Sequence, residues 1–380
     1  MRHSLEEVLT QRSLVVCVGS GGVGKTSMAA AMGLWAAAQG RQVLVLTIDP
    51  ARRLANSLGM EEFGNVPVKV KVEGLKGQLS AMMLDTASTF ESLVDRLSMD
   101  EETRQAIREN RVYGTVQDAF SGSQEYMAGE ALYDVVSSGD YDLVVLDTPP
   151  AKNALDFLDA SDRFLRFLDP NILKWFLSPY DEGKVFGKLM AGTSAVVFRL
   201  LSYVFGKEFL QDLSEFLLYF KDLYDGFRER HHAVLAMLES EDTAFLVVCA
   251  PTEASVEVAG FFASEFRRRE LPYEATVINQ VLPCGEESLD PNGLLGEAAS
   301  ARQADHPPGT SARVLARLGA AHRRLRESAA VERDLIAKVR SMMSQESGLL
   351  VEVPRIEGEV HDLAALWKVT GHLVPETESK

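Results

Sequence analysis

Cysteine, positive charge and long apolar runs are all scarce in this chain, and each scarcity removes a class of function. Three cysteines in 380 residues are too few and too scattered for a disulfide framework. Cys17 and Cys249 fall inside apolar, strand-like runs and Cys284 lies in a turn-rich context, which points to a reducing cytoplasm. Lysine and arginine number 39 against 55 aspartates and glutamates, for a net charge of −16. That balance repels phosphate backbones and removes the electrostatic route to DNA or RNA. The Arg267, Arg268, Arg269 triplet is too small a basic patch to restore it, so no nucleic-acid partner is expected. The most hydrophobic segment, 189–206, is interrupted by Arg199 and flanked by Lys188 and Lys207. It falls short of the roughly 20 apolar residues that span a bilayer, and no integral membrane segment is expected. Glu6 and Glu7 precede any apolar run, unlike the basic start of a secretory signal. No HExxH or GxSxG occurs, and His231-His232 reads as part of a solvated helix face.

What is present is an ordinary globular composition, 46% apolar and 25% charged, with a mean hydropathy of −0.04. The length suits two domains or one large domain carrying an insertion. Short β-branched runs at 14–18, 43–48, 143–146, 245–249, 275–278 and 349–353 alternate with helical patterns. Runs this apolar suit strands buried on both faces, so the expected class is α/β with a mostly parallel sheet flanked by helices. Residues 86–112 and 152–240 read almost wholly helical and are expected to form a helical subdomain. It would be inserted into an α/β domain made of 1–85, 113–151 and 241–380. Within it, Phe209, Leu210, Leu213, Phe216, Leu217, Phe220, Leu223, Tyr224 and Phe227 recur at helical spacing as one apolar stripe. Segment 284–309, rich in glycine, proline and acidic residues, reads as a flexible linker.

The chemistry is concentrated at Gly19-Ser20-Gly21-Gly22-Val23-Gly24-Lys25-Thr26, which fits GxxxxGK[ST] between a strand and a helix-forming run that begins at Ser27. Glycines let the backbone wrap a polyphosphate with its amides pointing inward, at the positive end of the following helix. Lys25 then supplies a charge to the β- and γ-phosphates, and Thr26 a hydroxyl to Mg²⁺. A nucleotide and Mg²⁺ are the expected ligands. Asp49 and Asp147 stand at the C-terminal ends of predicted parallel strands, where ligands bind in open α/β sheets. Asp147 has the form of an acid that orients the metal through water, and Asp49 could polarise the attacking water. A turn or helix-cap role is the alternative for each.

At these residues the chain resembles the ArsA-type ATPases, a P-loop NTPase family that includes arsenical-pump ATPases and the eukaryotic ATPase that targets tail-anchored membrane proteins. It looks closest to a bacterial subgroup with GSGGVGKT, DPARRL and DTPP in the same order. The resemblance continues through Asp49-Pro50-Ala51 as switch I, Asp147-Thr148 as switch II, Asn279-Gln280, and Val353-Pro354-Arg355-Ile356. It implies ATP with Mg²⁺ as the ligands and an ATP-hydrolysing, nucleotide-gated dimer in which Asp49 activates water, Asp147 holds Mg²⁺ through water, Asn279 reads adenine, and the Pro354, Arg355, Ile356 loop covers the base. It also implies a partner that is a second copy or a related ATPase, and a client that is a hydrophobic helix of a membrane protein. The implied location is the cytoplasm, with a peripheral position at a membrane left open. Energising a membrane transporter, and binding ATP with little turnover, are the rival functions.

Three departures from the family pattern stand out. Ser20 occupies the position of the family's extra lysine, and a hydroxyl cannot replace that charge. A partner chain, Arg52 or Arg53 would have to supply the cation, or hydrolysis is slow. Lys152 and Asn153 stand where the targeting ATPases have Gly-His, and the CxxC pair that binds zinc between subunits is absent. Phe186, Met190, Phe198 and Phe205 could line a client groove; the same residues would equally serve as a core or a dimer contact.

Overall fold

The computed structural model describes residues 4–49, 53–60, 64–97, 100–114, 117, 124–149, 203, 206–283, 310–343, 348–356, 358, 360 and 362–375. The switch I residues Pro50, Ala51 and Arg52, the switch II residues Lys152 and Asn153, Phe186, Met190, Phe198, Phe205 and Cys284, and the linker expected at 284–309 lie outside them.

Strand β1 (Leu14–Gly19) is apolar and buried throughout. The chain turns from it into helix α2 (Lys25–Ala38), preceded in sequence by α1 (Leu5–Gln11). Strand β2 (Gln42–Thr47) leads to the short α3 (Arg53–Ser57), and β3 (Val68–Lys69) and β4 (Gln78–Met83) follow. Helices α4 (Thr86–Leu97), α5 (Glu101–Glu109) and α6 (Gln124–Ser138) precede β5 (Leu143–Asp147). The long α7 (Lys207–Glu239) enters β6 (Thr243–Cys249), and α8 (Glu253–Arg268) enters β7 (Tyr273–Val281). Helix α9 (Thr310–Met343), strand β8 (Leu349–Pro354) and helix α10 (Leu363–Leu373) complete the described elements.

The strands form one sheet of order β3-β4-β2-β5-β1-β6-β7-β8. Only the β3–β4 edge pair is antiparallel. All six strands expected from β-branched runs are present, and the α/β class with a mostly parallel, helix-flanked sheet holds. Side chains alternate between two cores, as strand geometry requires. Leu14, Val16 and Val18 face one with Leu44, Leu146, Phe245 and Phe262. Val15 and Cys17 face the other with α2, Val45, Leu246 and Leu366 of α10. Helix α2 lies so close to the sheet that a Cβ on Gly33 would come within 2.6 Å of Val45 Cγ2.

The amphipathic stripe forms helix α7, with Phe216 and Phe227 buried in the same core as Phe90, Leu93 and Val94 of α4, and Leu210 buried as well. Leu213 packs against it, whereas Phe209 is exposed; the side chains of Leu217, Phe220, Leu223 and Tyr224 lie outside the description. His231 corrects the solvated-face expectation. It is buried because Phe227, His231, Val234 and Leu238 recur every three or four residues along the inward face, while His232 is exposed. Arg268 and Arg269 both pair with Glu265, at 2.5 and 3.3 Å, so the arginine triplet is partly neutralised.

Candidate functional site

The parallel strands of the sheet end on the same edge, and the expected site residues gather there. Gly19 closes β1 so near β6 that a Cβ would collide with the Val248 carbonyl oxygen. Ser20, Gly21, Gly22 and Val23 make the turn, and Gly24, at φ +91°, is the N-cap of α2. A left-handed N-cap favours glycine, and it releases the first amides of α2 towards the loop. Lys25, Thr26 and Ser27 form the first helical turn. Lys25 is buried and its ammonium donates to the Gly19 and Ser20 carbonyl oxygens at 3.1 and 2.9 Å. Burial pushes its pKa down, the Arg53 charge adds to that, and Asp147 and Asp49 oppose it.

Asp147 ends β5 in register with Thr47 of β2 and Cys17 of β1. Its Oδ2 accepts from Thr26 Oγ1 at 2.7 Å and from Thr47 Oγ1 at 3.1 Å. Its Oδ1 is buried with no hydrogen-bond partner among the described residues. Burial raises the carboxyl pKa to about 6, opposed by the Thr26 hydrogen bond and the Lys25 charge. Thr148 Oγ1 donates to the Cys17 carbonyl at 2.7 Å and holds the strand end in place. The Asp49 amide, just beyond β2, donates to Thr47 Oγ1 at 3.3 Å, and the Asp49 carboxylate pairs with Arg53 at 3.5 Å.

On the other side of the loop, the β7–β8 register shifts between Ile278 and Val281, and Gln280 adopts φ +64°. The irregularity turns two carboxamides onto the loop. Asn279 Nδ2 donates to the Val23 carbonyl at 2.8 Å and Gln280 Nε2 to the Gly22 carbonyl at 3.2 Å. The Arg355 amide donates to the Val281 carbonyl at 2.7 Å, fixing the Pro354, Arg355, Ile356 segment beside them.

A cavity of about 850 Å³ joins the two sides. Its walls include Gly22, Gly24, Lys25, Thr26, Ser27, Asp49, Arg53, Asn279, Pro354, Arg355 and Ile356. Gly19, Ser20, Gly21, Val23 and Asp147 do not line it; Asp147 meets it only through Thr26. Thr148 and Gln280, which the resemblance placed in switch II and beside Asn279, also line the cavity, as do Asn56, Ser57 and Leu325 of α9, for which the sequence offers no signal. Thr47 and Ser255 support it from beneath. Thr47, two residues before Asp49, could have been noticed as a hydroxyl at a strand end; Ser255 carries no local signal.

The volume falls within the range of small-molecule pockets. The Thr26 hydroxyl beside a buried carboxylate with one unpartnered oxygen is a donor set suited to Mg²⁺, a hard cation that binds through oxygens and retained waters. Cys17 and Cys249 are both buried, and burial pushes both thiols up, Cys249 to about 12, which leaves them poor ligands for a soft centre. Among the described residues there is no cluster of three or more histidine, cysteine or acidic side chains that could hold a metal, and no helix long and apolar enough to cross a membrane.

Residues 12–295 match the family described as anion-transporting ATPase. Among curated proteins, ATPase GET3B of Arabidopsis thaliana is 26% identical over 72% of this chain and 65% of its own length. ATPase GET3 of Malassezia globosa is 30% identical over 49% of this chain and 52% of its own length. ATPase get3 of Aspergillus terreus is 28% identical over 74% of this chain and 77% of its own length. The chain thus covers less than two thirds of the first two of these relatives.

Proposed function

Because the chain belongs to the ArsA-type, anion-transporting ATPase family, we propose that it binds ATP at the end of β1 and hydrolyses it to drive a conformational switch. The observation that carries this reading is the 2.7 Å hydrogen bond from Thr26 to the buried Asp147, at the floor of a cavity also walled by Lys25, Asp49 and Asn279.

Loop amides from Gly19 to Gly24 and the first turn of α2, including Ser27, wrap the phosphates. Lys25 exchanges its loop carbonyls for the β- and γ-phosphate oxygens. Thr26, and Asp147 through water, would hold Mg²⁺, which neutralises developing phosphate charge when bound. Asp49, partly exposed beside Lys25, orients the attacking water and takes its proton. Asn279 presents donor and acceptor groups to the adenine edge, and Pro354, Arg355 and Ile356 cover the base.

Under this proposal two ATPase units, identical or related, close on each other when ATP is bound, and the helices leading from the site hold a hydrophobic helix of a membrane-protein client. The protein would work in the cytoplasm, at times against a membrane surface. The low-turnover alternative draws on one observation: Ser20 is engaged by Ser255 within its own chain. Phosphate release from Mg·ATP by the purified protein tests the choice. Steady turnover that falls about 10²-fold or more in Asp49→Asn, with ATP binding retained, supports the hydrolytic switch. Turnover equal in the two proteins removes Asp49 from the chemistry.

A further inference from the structure

The second residue of the phosphate loop brings no cation to the cavity. Ser20 Oγ lies 3.0 Å from Ser255 Oγ, and the buried Ser255 also accepts the Ala250 amide at 3.0 Å. Ser20 is therefore turned into the junction of β6 and α8, away from any ligand. Among the described residues, the cations that line the cavity are Lys25, Arg53 and Arg355. Arg355 follows β8 and is tied to Val281, on the Asn279 side. Arg53 opens α3 after β2, the strand whose end meets Asp147 in register. Among the described residues it is the guanidinium on the side of the cavity where Thr26 and Asp49 lie.

Arg53 holds Asp49 at 3.5 Å with 62% of its side chain exposed. An exposed pair of that length is weak and is readily given up for a more highly charged partner. A guanidinium and the Lys25 ammonium facing one cavity repel each other, which is why the Arg53 charge acts on Lys25 as it does. A polyphosphate between them removes that repulsion. The side chain is long enough to reach inward, and a planar fork of donors suits phosphate oxygens.

We propose that Arg53 is a catalytic cation of this chain for the terminal phosphate, releasing Asp49 when ATP binds and so supplying from switch I the charge that Ser20 lacks. This rests on the ATPase reading above. In the step it serves, the water oxygen bonds to the γ-phosphorus while the bond from that phosphorus to the bridging oxygen breaks. The bond pair leaves on ADP, the water proton passes to the Asp49 carboxylate and then to solvent, and Arg53 meets the charge gathering on the transferred group.

The test compares Mg·ATP and Mg·ADP affinity, by calorimetry on the full chain, for the unmutated protein, Arg53→Ala and Arg53→Lys, with phosphate release measured alongside. Arg53 is exposed and outside both cores, so the variants are expected to fold. Loss of the guanidinium should weaken ATP about 10-fold, leave ADP within about 2-fold, and slow turnover about 10²-fold or more, with partial recovery in Arg53→Lys. An ATP-to-ADP affinity ratio unchanged in Arg53→Ala overturns the assignment while leaving the ATPase reading standing. Absence of any adenine-nucleotide binding by the unmutated protein overturns both.

Discussion

Thr26 Oγ1 donates to Asp147 Oδ2 across 2.7 Å, joining the first turn of α2 to the end of β5 over 121 residues of sequence. The same oxygen takes a second bond from Thr47 at 3.1 Å, so one carboxylate ties together the ends of three neighbouring elements. The arrangement leaves Oδ1 as the buried acceptor still to be satisfied. Thr26→Ala should therefore weaken Mg·ATP binding by about 10-fold or more while changing metal-free ATP binding much less. Titrations with and without Mg²⁺ check this, and equal losses in both would remove Thr26 from the metal site.

Ser255 supports the loop from below. Its hydroxyl accepts the Ala250 amide and meets Ser20 Oγ, each at 3.0 Å. Ser255→Ala should leave a buried amide without its acceptor and cost about 1–3 kcal/mol of stability. Thermal or denaturant unfolding measures this; Ser20→Ala, which leaves the Ala250 bond intact, should cost clearly less.

A second cluster lies away from the cavity, between α6 and α7. Arg230 binds Glu130 at 2.6 Å and Asp134 at 2.5 Å, Tyr126 donates to Glu130 at 2.9 Å, and the Arg230 guanidinium lies 4.6 Å from the Tyr133 ring centre. Arg230→Ala strips a nearly buried carboxylate of its counter-charge and should cost about 3–5 kcal/mol. Arg268→Ala, which breaks an exposed pair, should cost about 1 kcal/mol or less. A comparison of the two unfolding midpoints decides it.

The same cluster predicts a pH dependence. Burial raises the Glu130 carboxyl above its ordinary value of 4.5, with Arg230 opposing. The folded state then holds the proton to higher pH than the unfolded state, so the contribution of Glu130 to stability is fullest below pH 4.5 and declines as pH rises through the raised value. Glu130→Gln should lose that decline. Unfolding free energies from pH 4 to 7 test this, and parallel curves for the two proteins would contradict it.

The class of fold was legible because its central strands are written in valine, leucine and isoleucine. Strand β4 was missed: Gln78–Met83 has no β-branched residue and carries Ser80 at its middle, yet it is buried beside β2. The two-residue β3 is too short for any periodic signal. His231 was misread because a polar residue interrupts an inward stripe that resumes at Val234 and Leu238. In the site, the loop spacing was enough to bring out Gly19 to Thr26, and strand-end carboxylates brought out Asp49 and Asp147. Ser255 could not be reached that way, because it meets the loop across 235 residues and only the sheet order brings it there; Gln280, 258 residues from Gly22, is legible only through the resemblance.

Calorimetric titration of Mg·ATP into the full chain and into Lys25→Ala is the most direct measurement of the central claim. One adenine-nucleotide site per chain is expected in the unmutated protein, with affinity reduced at least about 10²-fold when the Lys25 ammonium is removed. Equal affinity in the two proteins, or no heat of binding in the first, would contradict it.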